Sequence, residues 1–348
     1  MPEIWYAISA FLLTVYVVLD GFDFGAGALH VFVARSDAER RQVLAAIGPY
    51  WDANEVWLLA AGGALFVAFP RALSAGVSGF YFAIFLVLWC LIVRGISLEF
   101  RSHLEDAVWR RTWDFFFAVS SALLPVFLGA ALGNLLRGVP LDADGWFELP
   151  LFTDFSAREP VGILDWYTGL VGLFAFAALT AHGAAFLAWK TGGPVQARSR
   201  TAARRGYRAV GALWLAVTLA TASVHPRFLP SLVSRPLAWL PAAAALAGIL
   251  LVFPALRGGR DRAAFLASSA FVGGLSLATA ACMYPVLLRA SGSPDLSLTT
   301  QNSAGDSSGL AIALSWFAVA MPLVLASLVL VWRLHRGKVA SGSEGESY

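Results

Sequence analysis

Nine long apolar runs, each closed off by charge or by a cluster of Pro and Gly, divide this chain and leave few folds open to it. They extend approximately from Ile4 to Ala34, Asn54 to Phe69, Leu73 to Ile96, Phe115 to Leu135, Trp166 to Trp189, Ala209 to Val224, Leu237 to Leu256, Ala263 to Leu288 and Leu310 to Trp332. A helix needs about 20 mainly apolar residues to cross the hydrocarbon of a bilayer. The runs therefore predict an all-α polytopic membrane protein with nine transmembrane helices, the short second and sixth starting earlier than their apolar stretches. Composition agrees, with 58% hydrophobic and 14% charged residues against about 25% charged in soluble domains. The 13 Trp and 25 Phe exclude a disordered or fibrous chain.

Nine spans put the termini on opposite sides, and basic loops orient them. Loops after the odd-numbered spans, with the C-terminal tail, hold 18 of the 25 Lys and Arg residues; the opposite loops hold 6, and Arg94 lies inside span three. The N-terminus is expected outside and the C-terminus in the cytoplasm. The net charge of +3 is explained by this bias and gives no reason to invoke nucleic acid. The opening residues Met-Pro-Glu-Ile-Trp-Tyr lack the basic start of a signal peptide, so span one is expected to remain. Spans one to four (1–136) and five to eight (166–288) read as two four-helix bundles separated by an acidic external loop (137–165). The ninth helix (310–334) is peripheral, and 335–348 reads as a disordered cytoplasmic tail. A small-residue run in span one, Gly25-Ala26-Gly27-Ala28, has a loose echo in span five, Gly183-Ala184-Ala185.

Ionisable groups inside spans cost roughly 2.5 to 3.5 kcal/mol each, which makes each a functional candidate. Asp20 and Asp23 lie three residues apart on one face of span one, about 24 Å along it from Ile4. Span two opens Trp51-Asp52-Ala53-Asn54-Glu55-Val56-Trp57. Asp52 and Glu55 have capping-box spacing, with Trp51 and Trp57 as interfacial anchors. Equally, a carboxylate at an inner helix start backed by a second acidic pair makes a mouth for a proton path. Span three ends Arg94-Gly95-Ile96-Ser97-Leu98-Glu99-Phe100-Arg101. Arg94 could pair with Asp20, Asp23 or Asp52, or snorkel to headgroups, with Glu99 and Arg101 adding charge at the same depth. Three segments thus bring unusual charge to one depth on one side.

Of five histidines only His182 sits well inside a span, and His30 lies near the inner end of span one. His182 reads first as a satisfied core histidine and more weakly as a haem ligand. Cys90 and Cys282 read as small buried hydrophobes. The chain has no Walker A, GxGxxG, CxxC or HExxH motif, so the residues point to no cofactor or metal bound here.

Leu19-Asp20-Gly21-Phe22-Asp23-Phe24-Gly25, Gly48-Pro49-Tyr50-Trp51-Asp52-Ala53-Asn54-Glu55-Val56-Trp57, Gly62-Gly63-Ala64-Leu65-Phe66 and Arg94 through Arg101 closely resemble subunit II of the cytochrome bd quinol oxidases. The resemblance continues through Gly133-Asn134-Leu135-Leu136-Arg137-Gly138-Val139-Pro140, Ala181-His182-Gly183-Ala184 and Ser297 to Asn302. Ala53 stands where many members have Gly, and Tyr50 where Val or His is more common.

The resemblance implies a bacterial cytoplasmic-membrane complex that oxidises quinol and reduces dioxygen to water. This chain would be the haem-free mate of a pseudo-symmetric subunit I carrying the b-type and d-type haems and the quinol site. Quinol or quinone and membrane lipid would be further partners, with small single-span subunits and a structural quinone in some members. By the same resemblance Asp52 lies in a cytoplasmic proton path with Glu55, Asp20 and Asp23. Trp51 and Trp57 would lie along an oxygen route or the subunit interface. The competing class is a proton- or cation-coupled transporter, but such proteins favour charge near the midplane, whereas these acids lie toward one face.

Overall fold

The computed structural model describes residues 1–339. Among them twelve helices follow in chain order: α1 (Pro2–Val33), α2 (Asp37–Ile47), α3 (Trp51–Ala68), α4 (Pro70–Gly79), α5 (Tyr81–Phe100), α6 (Ala107–Arg137), α7 (Trp166–Lys190), α8 (Gly193–Val224), α9 (Phe228–Ser234), α10 (Pro236–Arg257), α11 (Asp261–Met283) and α12 (Ser307–Leu334). Two short antiparallel strands, β1 (Val286–Leu288) and β2 (Leu298–Thr299), lie in the connection before α12. Eight helices are long and apolar enough to cross a membrane: α1, α5, α6, α7, α8, α10, α11 and α12. The 18-residue α3 lies along α1 as the ninth long helix, its apolar character diluted by Asp52, Asn54 and Glu55 in its first turns.

Helices are the required form here because hydrocarbon offers no partner to an open backbone N–H or C=O. Their ends are marked as the chemistry demands. Pro opens α1, α4, α8 and α10, where a missing N–H costs nothing. Asp106, Asp165 and Asp306 cap α6, α7 and α12 with side-chain oxygens, and Ser36 and Glu39 form a capping box on α2.

Two helices do start earlier than their apolar runs, α3 at Trp51 and α8 at Gly193. The arginine-rich stretch before Ala209 is helical because Val195, Ser199, Ala203 and Tyr207, four residues apart, bury one stripe while the arginines take the other faces. At about 48 Å, α8 is longer than the hydrocarbon is thick, so its basic half projects beyond it. The third run is broken at Phe80 into α4 and α5, and Phe80 meets Phe147 of the long connection between α6 and α7 edge-on at 5.1 Å.

The main apolar core draws on both halves of the chain, from Leu12, Phe24 and Trp57 to Phe174, Val210 and Phe271. At its centre α1 packs against α3, α6, α7 and α11. The small-residue runs in spans one and five meet each other where α1 crosses α7. A Cβ added to Gly25 would fall on the Leu179 carbonyl, and one added to Gly183 on the backbone of Gly25 and Ala26. Helix α12 buries only Leu310 and lies at the periphery as expected. Residues 335–339 are tied down rather than loose: Lys190 Nζ donates to Tyr50 Oη at 2.9 Å and to the His335 carbonyl at 2.6 Å, and the Val339 N–H donates to the Lys190 carbonyl. The rest of the expected tail, 340–348, lies outside the described residues.

Replacing Gly183 by Leu forces α1 and α7 apart and exceeds the 1–3 kcal/mol usual for overpacking. Gly183→Leu should therefore give little folded protein by size-exclusion chromatography in detergent. Gly169→Ala, on the same helix with open space around it, should keep a wild-type profile.

Candidate functional site

The C-terminal halves of α1 and α5 and the start of α3 bury a charge cluster. Asp20 and Asp23, one turn apart on α1, have no solvent exposure, and neither has Arg94 of α5. The guanidinium stands 3.2 Å from Asp20, 3.9 Å from Asp23 and 2.6 Å from Glu55 of α3. It lies 5.0 Å from the centre of the Phe24 ring. Asn54, also on α3, donates to Asp23 at 2.7 Å and to the Leu19 carbonyl at 3.2 Å. Three carboxylates thus surround one guanidinium, and both Asp20 oxygens, one Asp23 oxygen and the Tyr16 hydroxyl have no hydrogen-bond partner among the described residues. Beyond Tyr16 and Phe24 lies an apolar cavity of about 190 Å3 between α1, α6, α7, α8 and α11, with Phe174, Trp214 and Phe271 among its walls.

Arg94 does pair with Asp20 and Asp23, and it is buried rather than reaching to headgroups. Its third partner is Glu55 and not Asp52. The capping box read into Asp52 and Glu55 does not form: Tyr50 is the N-cap residue of α3 and caps it with no side-chain hydrogen bond. Glu55 turns instead to Arg94. Asp52 is exposed, in the first turn of α3, and makes no hydrogen bond or ion pair among the described residues. Trp57 is buried, and Trp51 lies partly buried against the backbone at Gly95.

Arg101 belongs to a separate network. Its Nε donates to Asp114 of α6 at 2.6 Å and its Nη2 to Asp37 of α2 at 2.7 Å. His30 Nε2 and Arg40 reach the same Asp114 carboxylate at 2.8 and 2.7 Å, and Arg110 reaches Asp37 at 3.2 Å. Partial burial pushes the Asp37 carboxyl up, but hydrogen bonding and charge from Arg101, with the charges of Arg41 and Arg110, hold it below its ordinary range. Glu99 is exposed and stands apart from both clusters; only its backbone carbonyl is engaged, by His103 Nδ1. No local sequence pattern singles out Asn54, Asp37 or Asp114 as members of these networks. The available signal for Asp114 was its place just ahead of an apolar run, within one helix of Arg101.

His182 is fully buried between α1 and α11. Its Nε2 donates to the Val18 carbonyl at 2.9 Å, which fixes the tautomer. Its Nδ1 then accepts from Ser268 Oγ at 2.5 Å, and Ser268 in turn accepts from Tyr207. Phe265 stacks on the ring at 5.0 Å. Both nitrogens that could ligate iron are already bonded, so His182 does not fit a haem ligand. His30 commits Nε2 to Asp114, with its ring enclosed 5.3 Å from Phe117, while its buried Nδ1 has no hydrogen-bond partner among the described residues.

Long apolar helices around one shared core, with ionisable side chains buried between them, define a polytopic integral membrane protein. The chain belongs to the family described as cytochrome bd terminal oxidase subunit II, whose model matches residues 1–335. It is 38% identical over 222 residues to cytochrome bd-I ubiquinol oxidase subunit 2 of Escherichia coli K12, covering 64% of this chain and 56% of that one. It is 34% identical over 205 residues to cytochrome bd ubiquinol oxidase subunit 2 of Bacillus subtilis, covering 59% and 58%. These matches thus span little more than half the length of either relative. A probable cytochrome oxidase subunit 2 of Haemophilus influenzae aligns at 29% identity over 94% of this chain and 92% of its own. A chain of the bd oxidase from Geobacillus thermodenitrificans has the same fold, with TM-score 0.73 at 19% identity over 96% of this chain and 98% of that one.

Removing one member of a buried ion pair costs about 3–5 kcal/mol, because the other is left uncompensated. Arg94→Met should therefore lower the melting temperature in detergent sharply, while Glu99→Gln should leave it within about a degree, as surface changes away from such features do.

Proposed function

We propose that this chain is the haem-free subunit II of a cytochrome bd-type quinol:oxygen oxidoreductase, paired with a haem-bearing subunit I, and that it carries protons from the cytoplasm toward the site of oxygen reduction. Family membership and the subunit 2 names of its relatives support the first part. The observation that carries the second is the cluster of three carboxylates about one guanidinium, with Asp20 and Asp23 fully buried and Glu55 partly exposed, beneath an exposed carboxylate on the same helix as Glu55. One guanidinium balances one carboxylate, so the others need a further positive charge, and a proton is the smallest that can reach the buried pair on α1 by way of Glu55.

In this reading Asp52 takes protons from the aqueous face, with no ion pair to release first. Glu55, one turn along α3, passes them to Asp20 and Asp23 around Arg94, which holds the three helices in register. Trp51, partly exposed, lies toward subunit I or an oxygen route, and Trp57, buried within the chain, lies toward an oxygen route. The basic side of the chain faces the cytoplasm and the N-terminus lies outside. Reducing dioxygen to water consumes four protons with four electrons from two quinols, whose own protons are released on the outer side. Charge then crosses the membrane without a pump, each crossing worth about 2.3 kcal/mol per 100 mV.

The test is the affinity-tagged complex in mild detergent, followed by its reduced-minus-oxidised spectrum and quinol-driven oxygen uptake. Asp52→Asn should assemble with an unchanged spectrum and slow uptake by about tenfold, equivalent to ~1.4 kcal/mol on the barrier. Full activity in the assembled variant removes the proton role, and a folded preparation without haem bands or uptake removes the oxidase reading.

A further inference from the structure

A cleft of about 260 Å3 lies between the turn after α1 and the start of α6. Arg35, Arg40, Arg110 and Arg111 line it, against the carboxylates of Asp37 and Glu105. Asp37 is already engaged by Arg41, Arg101 and Arg110, and Arg40 by Asp114. Arg35 and Arg111 make no ion pair or side-chain hydrogen bond among the described residues. With Arg41, Arg101 and Arg198 counted, seven guanidiniums stand around the five carboxylates of Asp37, Glu39, Glu105, Asp106 and Asp114, so the cleft keeps uncommitted donors and surplus positive charge. A planar fork of N–H donors matches the paired oxygens of a phosphate.

Exposed apolar side chains flank the cleft and add information about its occupant. Val108 and Phe115 of α6 are 72% and 60% exposed, and with Arg111 at i+3 they share one helical face. Phe32, one turn before Arg35 at the end of α1, is also 72% exposed. An apolar strip starting one turn from a basic cleft, at the end of two membrane helices, is the profile of a site between headgroups and acyl chains. A soluble anion would use the arginines but has no use for the strip.

We propose that this cleft binds the phosphodiester headgroup of an anionic phospholipid, with acyl chains laid along Phe32, Val108 and Phe115. Bound there, the lipid joins the α1–α2 turn to the start of α6, the segments that the Asp114 network also connects. This assignment stands apart from the oxidase reading and survives its failure.

The test uses the delipidated full complex, titrated with phosphatidylglycerol, phosphatidylcholine or inorganic phosphate and followed by native mass spectrometry. Phosphatidylglycerol should be retained in preference to phosphatidylcholine. The Arg35→Gln/Arg111→Gln double variant, which breaks no ion pair, should bind phosphatidylglycerol about tenfold more weakly or worse. Equal phosphatidylglycerol binding by variant and wild type overturns the proposal, as does equal retention of the two lipids. Inorganic phosphate binding as tightly as the lipid assigns the cleft to a soluble ion and overturns it too. Hydrogen exchange on the unmodified complex needs no variant: amides 34–38 and 104–111 should be protected in phosphatidylglycerol nanodiscs relative to phosphatidylcholine, and identical exchange overturns the proposal.

Discussion

The packing where α1, α3 and α5 meet depends on one guanidinium. Taking an ion from water into a membrane-embedded interior costs several kcal/mol even after relaxation. Arg94 meets that cost only because α1 brings two carboxylates and α3 a third to the same point. None of these helices could bury its charge alone. Only Arg94 and Ser97 of α5 are buried, so the ion cluster does for its α1–α3 side what apolar contact does elsewhere. The cluster therefore selects one mutual register for three helices that apolar contact would let slide.

How far this was legible in the sequence depended on whether partners share a helix. The nine apolar runs, the 3-residue spacing of Asp20 and Asp23, and the lone arginine inside an apolar stretch are local patterns, and all became visible contacts. Glu55 was drawn toward a capping role because capping is also a local rule; tertiary demand from Arg94 overrode it. Arg101 looked like a continuation of the Arg94 cluster because the two lie on one segment. Seven positions rotate a helix by nearly two full turns and advance it about 10 Å, far enough for Arg101 to find a different acid on a different helix. Asp114, Asp37 and His30 converge from α6, α2 and α1, a juxtaposition that no spacing within one segment encodes.

His182 makes the same point from the opposite direction. A histidine in an apolar span invites a ligand reading, yet its surroundings supply a directional chain from Tyr207 through Ser268 and the imidazole to the Val18 carbonyl. Each donor finds an acceptor, so the site is closed. The chain also ties α8, α11 and α7 to the same helix that carries Asp20 and Asp23.

Where α1 and α7 cross at Gly25 and Gly183, backbone touches backbone with no side chain between. Side chains can change rotamer to absorb a shift, whereas peptide groups in contact cannot. The crossing is therefore a rigid fulcrum, and His182 pins α1 to α7 on the same side of the molecule. Away from this crossing, α5 and α12 bury little of themselves within the chain. The ion cluster therefore joins a tightly crossed pair of helices, through α1, to a helix with little other burial of its own.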